Sequence, residues 1–127
     1  MFRKKSKPNV TTYPNGTCVK VDGEYWYLQK SFKKKIPSLR VLNSWSFPFI
    51  LSMSSTELAG YVTAKPLGFR DGTLVKSMSG DVYLISERKR RRVVNPDWLD
   101  AAGVHLSDIR RVSDYELGLH EEGEDIT

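Results

Sequence analysis

Residues 16–20 read Gly-Thr-Cys-Val-Lys, and residues 72–76 read Gly-Thr-Leu-Val-Lys, the same pattern 56 positions later. At the same offset the chain twice reads Tyr-Leu, at 27–28 and at 83–84. Self-similarity at a fixed spacing is the signature of a repeat architecture, and it determines how the rest of a sequence is interpreted. These two pairs of matches therefore predict an internal duplication.

The duplication continues through the second part of each copy. A basic run at 33–35 matches a second at 90–92 with an offset of 57, and Ser-x-x-Glu-Leu motifs begin at Ser54 and Ser113 with an offset of 59. Offsets that grow only in small steps indicate two aligned copies with short insertions in their loops. The chain of 127 residues is thus predicted to hold two units of similar size.

Both copies contain the signals of the same secondary structure. Asn-Gly, Asp-Gly and Ser-Gly pairs predict turns, and the runs between them are rich in Val, Ile, Tyr and Trp, which favour strands. Ser38 and Asn95 are predicted helix N-caps, and both Ser-x-x-Glu motifs fit the capping box. The predicted strands are 17–21, 24–28, 73–77 and 81–85, with a further short strand in each basic run and an apolar strand-like piece at 49–53 and at 109–112. The predicted helices are 39–45 and 96–102.

These elements predict an α+β fold that is mostly β. Each copy is expected to be a three-stranded antiparallel meander with a short helix and a capped helical turn. A unit of this size buries little apolar surface by itself, so the two copies are expected to share one core. The predicted organisation is a basic N-terminal arm at 1–12, a first repeat at 13–68 and a second repeat at 69–127 that ends in an acidic tail.

Charge is unevenly distributed along the chain, whose formal net charge is +5. Residues 1–65 contain 11 basic and 3 acidic residues, whereas residues 66–127 contain 9 basic and 12 acidic residues. Such asymmetry is typical of contact surfaces, although charged chain ends are also commonly solvated.

Cationic and aromatic side chains are the candidate partner-binding residues. A basic cluster next to an aromatic ring suits nucleic-acid phosphates, but in a strand alternate side chains face opposite sides, so a basic run also serves the fold. Both interpretations stay open at this point. The candidates are Arg3, Lys4, Lys5, Lys7, Lys33, Lys34, Lys35, Arg90, Arg91, Arg92, Trp26, Phe47 and Phe49.

No residue pattern predicts catalysis, a metal site or a cofactor. His105 and His120 stand without a nucleophile motif, and Cys18 is the single cysteine, so neither a disulfide framework nor a zinc-ligand spacing is present. Cys18 is expected to be a buried apolar residue of the first strand. The sequence also contains no apolar stretch long enough to cross a bilayer, so no membrane partner is expected.

The second copy resembles a tandem repeat with the gist Gly-Thr-Leu-Val-Lys, then Val-Tyr-Leu-Ile, then a basic run. The residues that carry this resemblance are 72–76, 82–85 and 89–92. The repeat occurs in surface and cell-wall-associated bacterial proteins and in small virion proteins of tailed bacteriophages. The resemblance implies a non-enzymatic structural component of a phage particle, in the tail, neck or capsid, with other virion proteins as partners. The basic N-terminus lacks an apolar secretory segment, which favours the virion over the bacterial surface.

The charge asymmetry adds one expectation about self-association. A head-to-tail contact would place the positive first repeat against the negative second repeat of the next copy, and such contacts close into rings when the rotation permits. The arm is expected to pack on an acidic partner. The alternative functions are a nucleic-acid-binding module that uses the arm and the basic runs, and a binder of an anionic host-surface polymer.

Overall fold

The computed structural model describes residues 13–127, which form two five-stranded sheets and few helices. The strands are β1 Thr17–Val21, β2 Glu24–Gln29, β3 Phe32–Lys35, β4 Leu51–Ser52, β5 Val62–Thr63, β6 Leu74–Lys76, β7 Val82–Ser86, β8 Lys89–Arg92, β9 Arg110–Arg111 and β10 Glu121–Glu122. The helices are α1 Leu39–Trp45, α2 Ser55–Leu58, α3 Asp97–Ala101 and α4 Asp114–Leu117, with a 3-10 turn at Leu106–Asp108. The fold is therefore α+β and mostly β, as the sequence predicts.

The first sheet is an antiparallel meander extended by a parallel strand on each side. β1 pairs with β2 and β2 with β3 in antiparallel register, while β4 lies parallel to β1 and β5 lies parallel to β3. The strand order is β4-β1-β2-β3-β5. Each flanking strand follows a short helix, because a parallel pairing needs a connection that crosses over the sheet.

The second sheet has the same order of corresponding strands. β6, β7 and β8 form the antiparallel meander, β9 lies parallel to β6, and β10 lies parallel to β8. If the strands of each half are numbered one to five in chain order, both sheets have the order four-one-two-three-five. This mixed arrangement is wider than the three strands expected from sequence, since β5 and β10 are two-residue strands without an alternating apolar pattern.

Equivalent turns open the two sheets. Gly16 and Gly72 both have a φ of +92°, a conformation that glycine adopts without steric cost. The side-chain oxygen of the preceding residue, Asn15 or Asp71, accepts the backbone N–H of Lys30 or Arg88, at 2.7 and 3.0 Å. Each turn is thereby tied to the hairpin that joins the second and third strands of its meander.

The helix starts agree with the sequence in three of four cases. The hydroxyls of Ser38, Ser54 and Ser113 accept the backbone N–H three residues later and cap α1, α2 and α4. The exception is Asn95: Pro96 occupies the N-cap position of α3, and the Asn95 side chain accepts the N–H of Asp97 at 3.0 Å. Asn95 therefore forms a turn before the helix, which begins one residue later than predicted.

One apolar core lies between the two sheets and contains residues from both. Its largest cluster joins Cys18, Val41 and Leu42 of the first half to Val75 and Ile85 of the second. Leu67 and Phe69, in the segment that connects the halves, are buried in the same cluster. A smaller cluster lies under each sheet by itself. The expectation of a shared core is therefore confirmed.

Candidate functional site

The basic run of the first sheet is divided between the two faces of β3. The Lys33 ammonium donates to the carbonyl of Leu58 at 3.1 Å and lies 5.4 Å from the centre of the Trp26 ring. Lys35 forms an ion pair with Glu24 at 2.9 Å. Leu58 ends α2, where carbonyls lack partners within the helix, and its carbonyl accepts both the Tyr61 N–H and the Lys33 ammonium.

The basic run of the second sheet makes matching contacts. Arg90 donates to the carbonyl of Leu117, the last residue of α4, at 3.2 Å, and also to the carbonyl of His120. Arg92 pairs with Asp81 at 3.3 Å. Both runs therefore bind the end of the capped helical turn and a carboxylate at the start of the second strand or just before it, and these contacts use four of the six predicted basic residues.

The middle residues of the two runs differ in their contacts. Arg91 donates from Nε to the carbonyl of Glu124 at 3.0 Å. Lys34 lies at the corresponding position of β3 and lines an open cleft between the two halves instead. Burial lowers the pKa of Lys34, and the positive charge of Arg88 lowers it further.

The predicted aromatic contact residues lie in different environments. Trp26 is half-buried against the core of the first sheet, where it contacts Lys33. Phe47 is half-buried and stacked on Trp45, with 6.1 Å between ring centroids. Phe49 is 64% exposed. Of these three rings, Phe49 is therefore the one that a partner could cover extensively.

The predicted arm residues Arg3, Lys4, Lys5 and Lys7 lie outside the described residues. The arm's proposed contact with an acidic partner stays a prediction.

A cleft of about 690 Å³ lies between β2 and β3 of the first half and the β7–β8 hairpin of the second, with the connecting segment along one side. Its cationic residues come from β3, from the segment that connects the halves, and from the β7–β8 hairpin. The cations that line it are Lys34, Lys65, Arg70, Arg88 and Lys89, and the carboxylates that line it are Asp71, Glu87 and Glu121. Tyr27 and Trp45 contribute aromatic surface to its wall.

His120 lies at the base of this cleft and is 3% exposed. Its Nε2 accepts the backbone N–H of Phe69 at 2.9 Å, so Nε2 carries no proton and Nδ1 donates to the carbonyl of Arg88 at 2.7 Å. Burial lowers the pKa of His120 and the charge of Arg90 acts in the same direction, against the Arg88 carbonyl and the charge of Asp71. The neutral imidazole therefore links the connecting segment to the β7–β8 hairpin.

Gly68 makes room for this histidine. A Cβ at Gly68 would lie 2.5 Å from Cε1 and from Nε2 of His120. The carbonyl of Gly68 accepts the indole N–H of Trp45 at 2.9 Å, so the connecting segment is held from both sides.

Glu116 forms a second polar link between the halves and is 2% exposed. Its carboxylate accepts the Ser113 N–H at 2.9 Å, the Ser38 hydroxyl at 2.6 Å and the Arg40 guanidinium at 3.1 Å. Burial acts to raise the pKa of Glu116, but the hydrogen bonds from Ser113 and Ser38 and the charge of Arg40 outweigh it, so the pKa lies below its ordinary value. Glu116, the third residue of α4, thus also binds Ser38, the N-cap residue of α1.

Cys18 has the role expected from sequence. Burial raises the pKa of its thiol to about 11, so the side chain stays protonated at neutral pH and packs as an apolar residue. Between residues 13 and 127, no cluster of three or more His, Cys, Asp or Glu side chains has an arrangement suited to a metal ion. Over the same residues, no helix combines the length and apolar character that crossing a membrane requires.

No family model matches the sequence, and no curated protein is significantly similar to it.

Sequence reasoning missed the cleft and the role of His120. Lys65 and Arg70 flank the apolar segment Pro-Leu-Gly-Phe at 66–69, which carries no binding motif, and His120 lies 51 positions from the Phe69 N–H that it accepts. The available signal was the pair of like charges Lys65 and Arg70 near the boundary between the repeats. The buried histidine and glutamate both have structural partners within the chain.

Proposed function

We propose that this chain is a non-enzymatic structural component of a bacteriophage particle and acts through protein–protein assembly. We further propose that its two halves are diverged tandem copies of one unit. The location in a particle rests on the resemblance of the repeat motif, and the assembly role rests on the uneven charge of the two halves and on the exposed Phe49 ring.

The observation that carries the proposal of two diverged copies is the recurrence of the same hydrogen bonds in both halves. The Thr17 hydroxyl donates to the Pro14 carbonyl at 2.7 Å, as the Thr73 hydroxyl donates to that of Arg70 at 2.5 Å. The contacts of Lys33 with Leu58 and of Arg90 with Leu117 correspond in the same way. The contacts of Lys33 and Arg90 join segments 25 and 27 positions apart and are not required by a β-meander, so their recurrence favours descent of both halves from one unit.

The polar groups that could serve catalysis are engaged in holding the halves together. Both ring nitrogens of His120 are hydrogen-bonded to backbone groups, and the Glu116 carboxylate receives three donors from two elements. A catalytic group must reach a substrate, whereas these two are buried and have protein partners. This engagement favours a scaffold over an enzyme.

Self-association in a ring is part of the proposal. The excess of positive charge in the first half and of negative charge in the second favours a heterologous contact over a two-fold one. Ion pairs at a rim contribute only about 0–1 kcal/mol each, so an apolar side chain must supply affinity. Phe49, which is 64% exposed, is the predicted aromatic contact residue that is free to act as this anchor.

Light scattering on the purified chain tests the assembly role. We expect masses at multiples of the monomer, alone or with the other particle proteins, and expect Phe49→Ser to reduce them. Met78→Ser is the matched control, because Met78 is also exposed, at 60%, but lies in the β6–β7 hairpin. A chain that stays monomeric under every condition would contradict the proposal.

A second experiment tests the location and the arm. Peptides of this chain should be found in purified, protease-washed particles. Deleting residues 1–8 should leave the melting temperature nearly unchanged and lower incorporation into the particle. A large loss of intrinsic stability would instead show that the arm belongs to the fold.

A further inference from the structure

The cleft between the halves contains more cations than its own carboxylates neutralise. Five basic side chains and three acidic ones line it. Among the described residues, the ion pairs within 4.0 Å join Lys35, Arg40, Arg90 and Arg92 to carboxylates, and none of these four lines the cleft.

One of these cations, Lys65, has no basic counterpart in the second half. The N–H of Ala64 donates to the carbonyl of Lys33, as the N–H of Gly123 donates to that of Arg90, so the residues that follow, Lys65 and Glu124, occupy equivalent positions. The first half therefore has a lysine where the second half has a glutamate. The fold accepts either residue there, so folding alone does not require the lysine.

Lys34 makes the excess of positive charge costly. It is half-buried on β3, and both burial and the charge of Arg88 lower its pKa. Like charges that converge on a partly desolvated site are destabilising unless an anion binds between them. An anion in the cleft would remove this repulsion.

The arrangement of the cations indicates the kind of anion. Lys34, Lys65 and Arg88 belong to three separate segments, so they approach the cleft from different directions. A phosphate group offers three acceptor oxygens to separate donors, whereas a carboxylate offers two in one plane. Glu87 and Glu121 also line the cleft, and their charges disfavour a long polyanion.

We propose that this cleft is a binding site for one phosphate group, held by Lys34, Lys65 and Arg88. Arg70 and Lys89 add to the positive field. The cleft volume of about 690 Å³ exceeds that of a single phosphate, so the group that carries the phosphate fits beside it, against Tyr27 and Trp45. This ligand site goes beyond the assembly role and does not depend on it.

Titration of the full chain with inorganic phosphate, followed by backbone NMR at low ionic strength, tests the site. We expect saturable shifts confined to the amides around Lys34, Lys65 and Arg88. Lys65→Glu, which introduces the residue of the second half, should weaken phosphate binding roughly tenfold or more, because it reverses a charge next to the ligand. Lys34→Met should weaken it as well and leaves Lys65 in place.

Lys30→Glu is the matched control. It changes the net charge by the same amount, and Lys30 is exposed and does not line the cleft. Equal weakening by Lys30→Glu and Lys65→Glu would show that binding follows net charge only and would overturn the proposal. Linear, non-saturating shifts would overturn it too.

Two further titrations identify the chemistry and its source. Acetate at the same ionic strength should bind more weakly than phosphate, and equal binding would overturn the assignment to phosphate. A short single-stranded DNA that competes with phosphate and depends on Lys65 would identify a polymer as the source of the group. If the chain binds DNA equally well with Lys65→Glu and does not bind inorganic phosphate, the proposed phosphate site is wrong and DNA binds at a different surface.

Discussion

Replacing Glu116 with glutamine tests whether the buried carboxylate holds the two halves together. The carboxylate is 2% exposed and accepts from Ser113, Ser38 and Arg40, so it connects α4 of the second half to the start of α1 in the first. Glu116→Gln keeps the size of the side chain and one carbonyl oxygen. It removes the charge and turns one acceptor into a donor.

The expected loss follows from these contacts. The glutamine oxygen can retain the Ser113 N–H, and the Ser38 hydroxyl can rotate to accept. A hydrogen bond to a charged group contributes about 1.5–3 kcal/mol, and the Arg40 pair contributes at most about 1 kcal/mol because Arg40 is 52% exposed. We therefore expect Glu116→Gln to lower the free energy of unfolding by about 2 kcal/mol. Glu116→Ala should lower it by about 3–5 kcal/mol, because the donors then lose their partner.

Glu57→Gln is the matched control at the equivalent position of the first half. Glu57 is exposed, and its carboxylate is 3.4 Å from the Ser54 hydroxyl. This variant should change the free energy of unfolding by less than about 0.5 kcal/mol. Urea denaturation followed by circular dichroism measures both. If the two variants lose the same stability, the proposed role of Glu116 in joining the halves is wrong.

The same contact predicts a pH dependence. The folded-state pKa of Glu116 lies below its ordinary value, so below about pH 4.3 the unfolded state binds more protons than the folded state does. The stabilisation is fully present above that pH and is lost as the pH falls through the folded-state pKa. The gap between wild type and Glu116→Gln should therefore close in acid, and a gap that persists to low pH would contradict the reasoning.

Three further predictions concern the joint and the basic runs. The folded-state pKa of His120 is lowered, so its contribution to the free energy of unfolding is fully present above about pH 6.5 and is lost as the pH falls through the folded-state pKa. His120→Gln should remove this slope from the pH profile of the free energy of unfolding. Gly68→Ala should lower the free energy of unfolding, measured by urea denaturation, by about 1–3 kcal/mol, because the new Cβ would lie 2.5 Å from the His120 imidazole. The control Gly60→Ala should lower it by less than about 1 kcal/mol, because a Cβ there would lie 3.4 Å from its nearest neighbour. Equal losses would contradict the close approach of Gly68 to His120. Arg90→Met should lower the melting temperature more than Lys33→Met, because the arginine donates to two carbonyls and the lysine to one; the reverse order would show that these contacts do not support the fold.

The sequence signals that predict two copies are local. Gly16 and Gly72 follow Asn and Asp in turn pairs, and only backbone conformation and short-range hydrogen bonding are needed to predict the turns. The same holds for α1, which spans Leu39–Trp45 as predicted from its Ser38 cap. The sequence predicts Asn95 as the N-cap of α3, one position before the actual N-cap residue, Pro96, because an asparagine before a proline suits both an N-cap and a turn.

The flanking strands β5 and β10 were not predicted, because their signal is not local. Val62–Thr63 and Glu121–Glu122 are too short to show a period of two. They are strands only because the outer edges of β3 and β8 present unpaired backbone groups to them. Because no local pattern marks Glu121 and Glu122 as a strand, the sequence predicts them as part of an acidic tail.

By itself the sequence determined the α+β class, the order of the main strands, the first helix and the two basic runs, since each depends on residues close together in the chain. Only the tertiary structure decided what those residues do. It brings Lys34 of one half near Arg88 of the other, and it seats His120 against the connecting segment. These contacts depend on how two sheets pack on one shared core. That packing depends on side chains tens of positions apart, whose pairing no local pattern records.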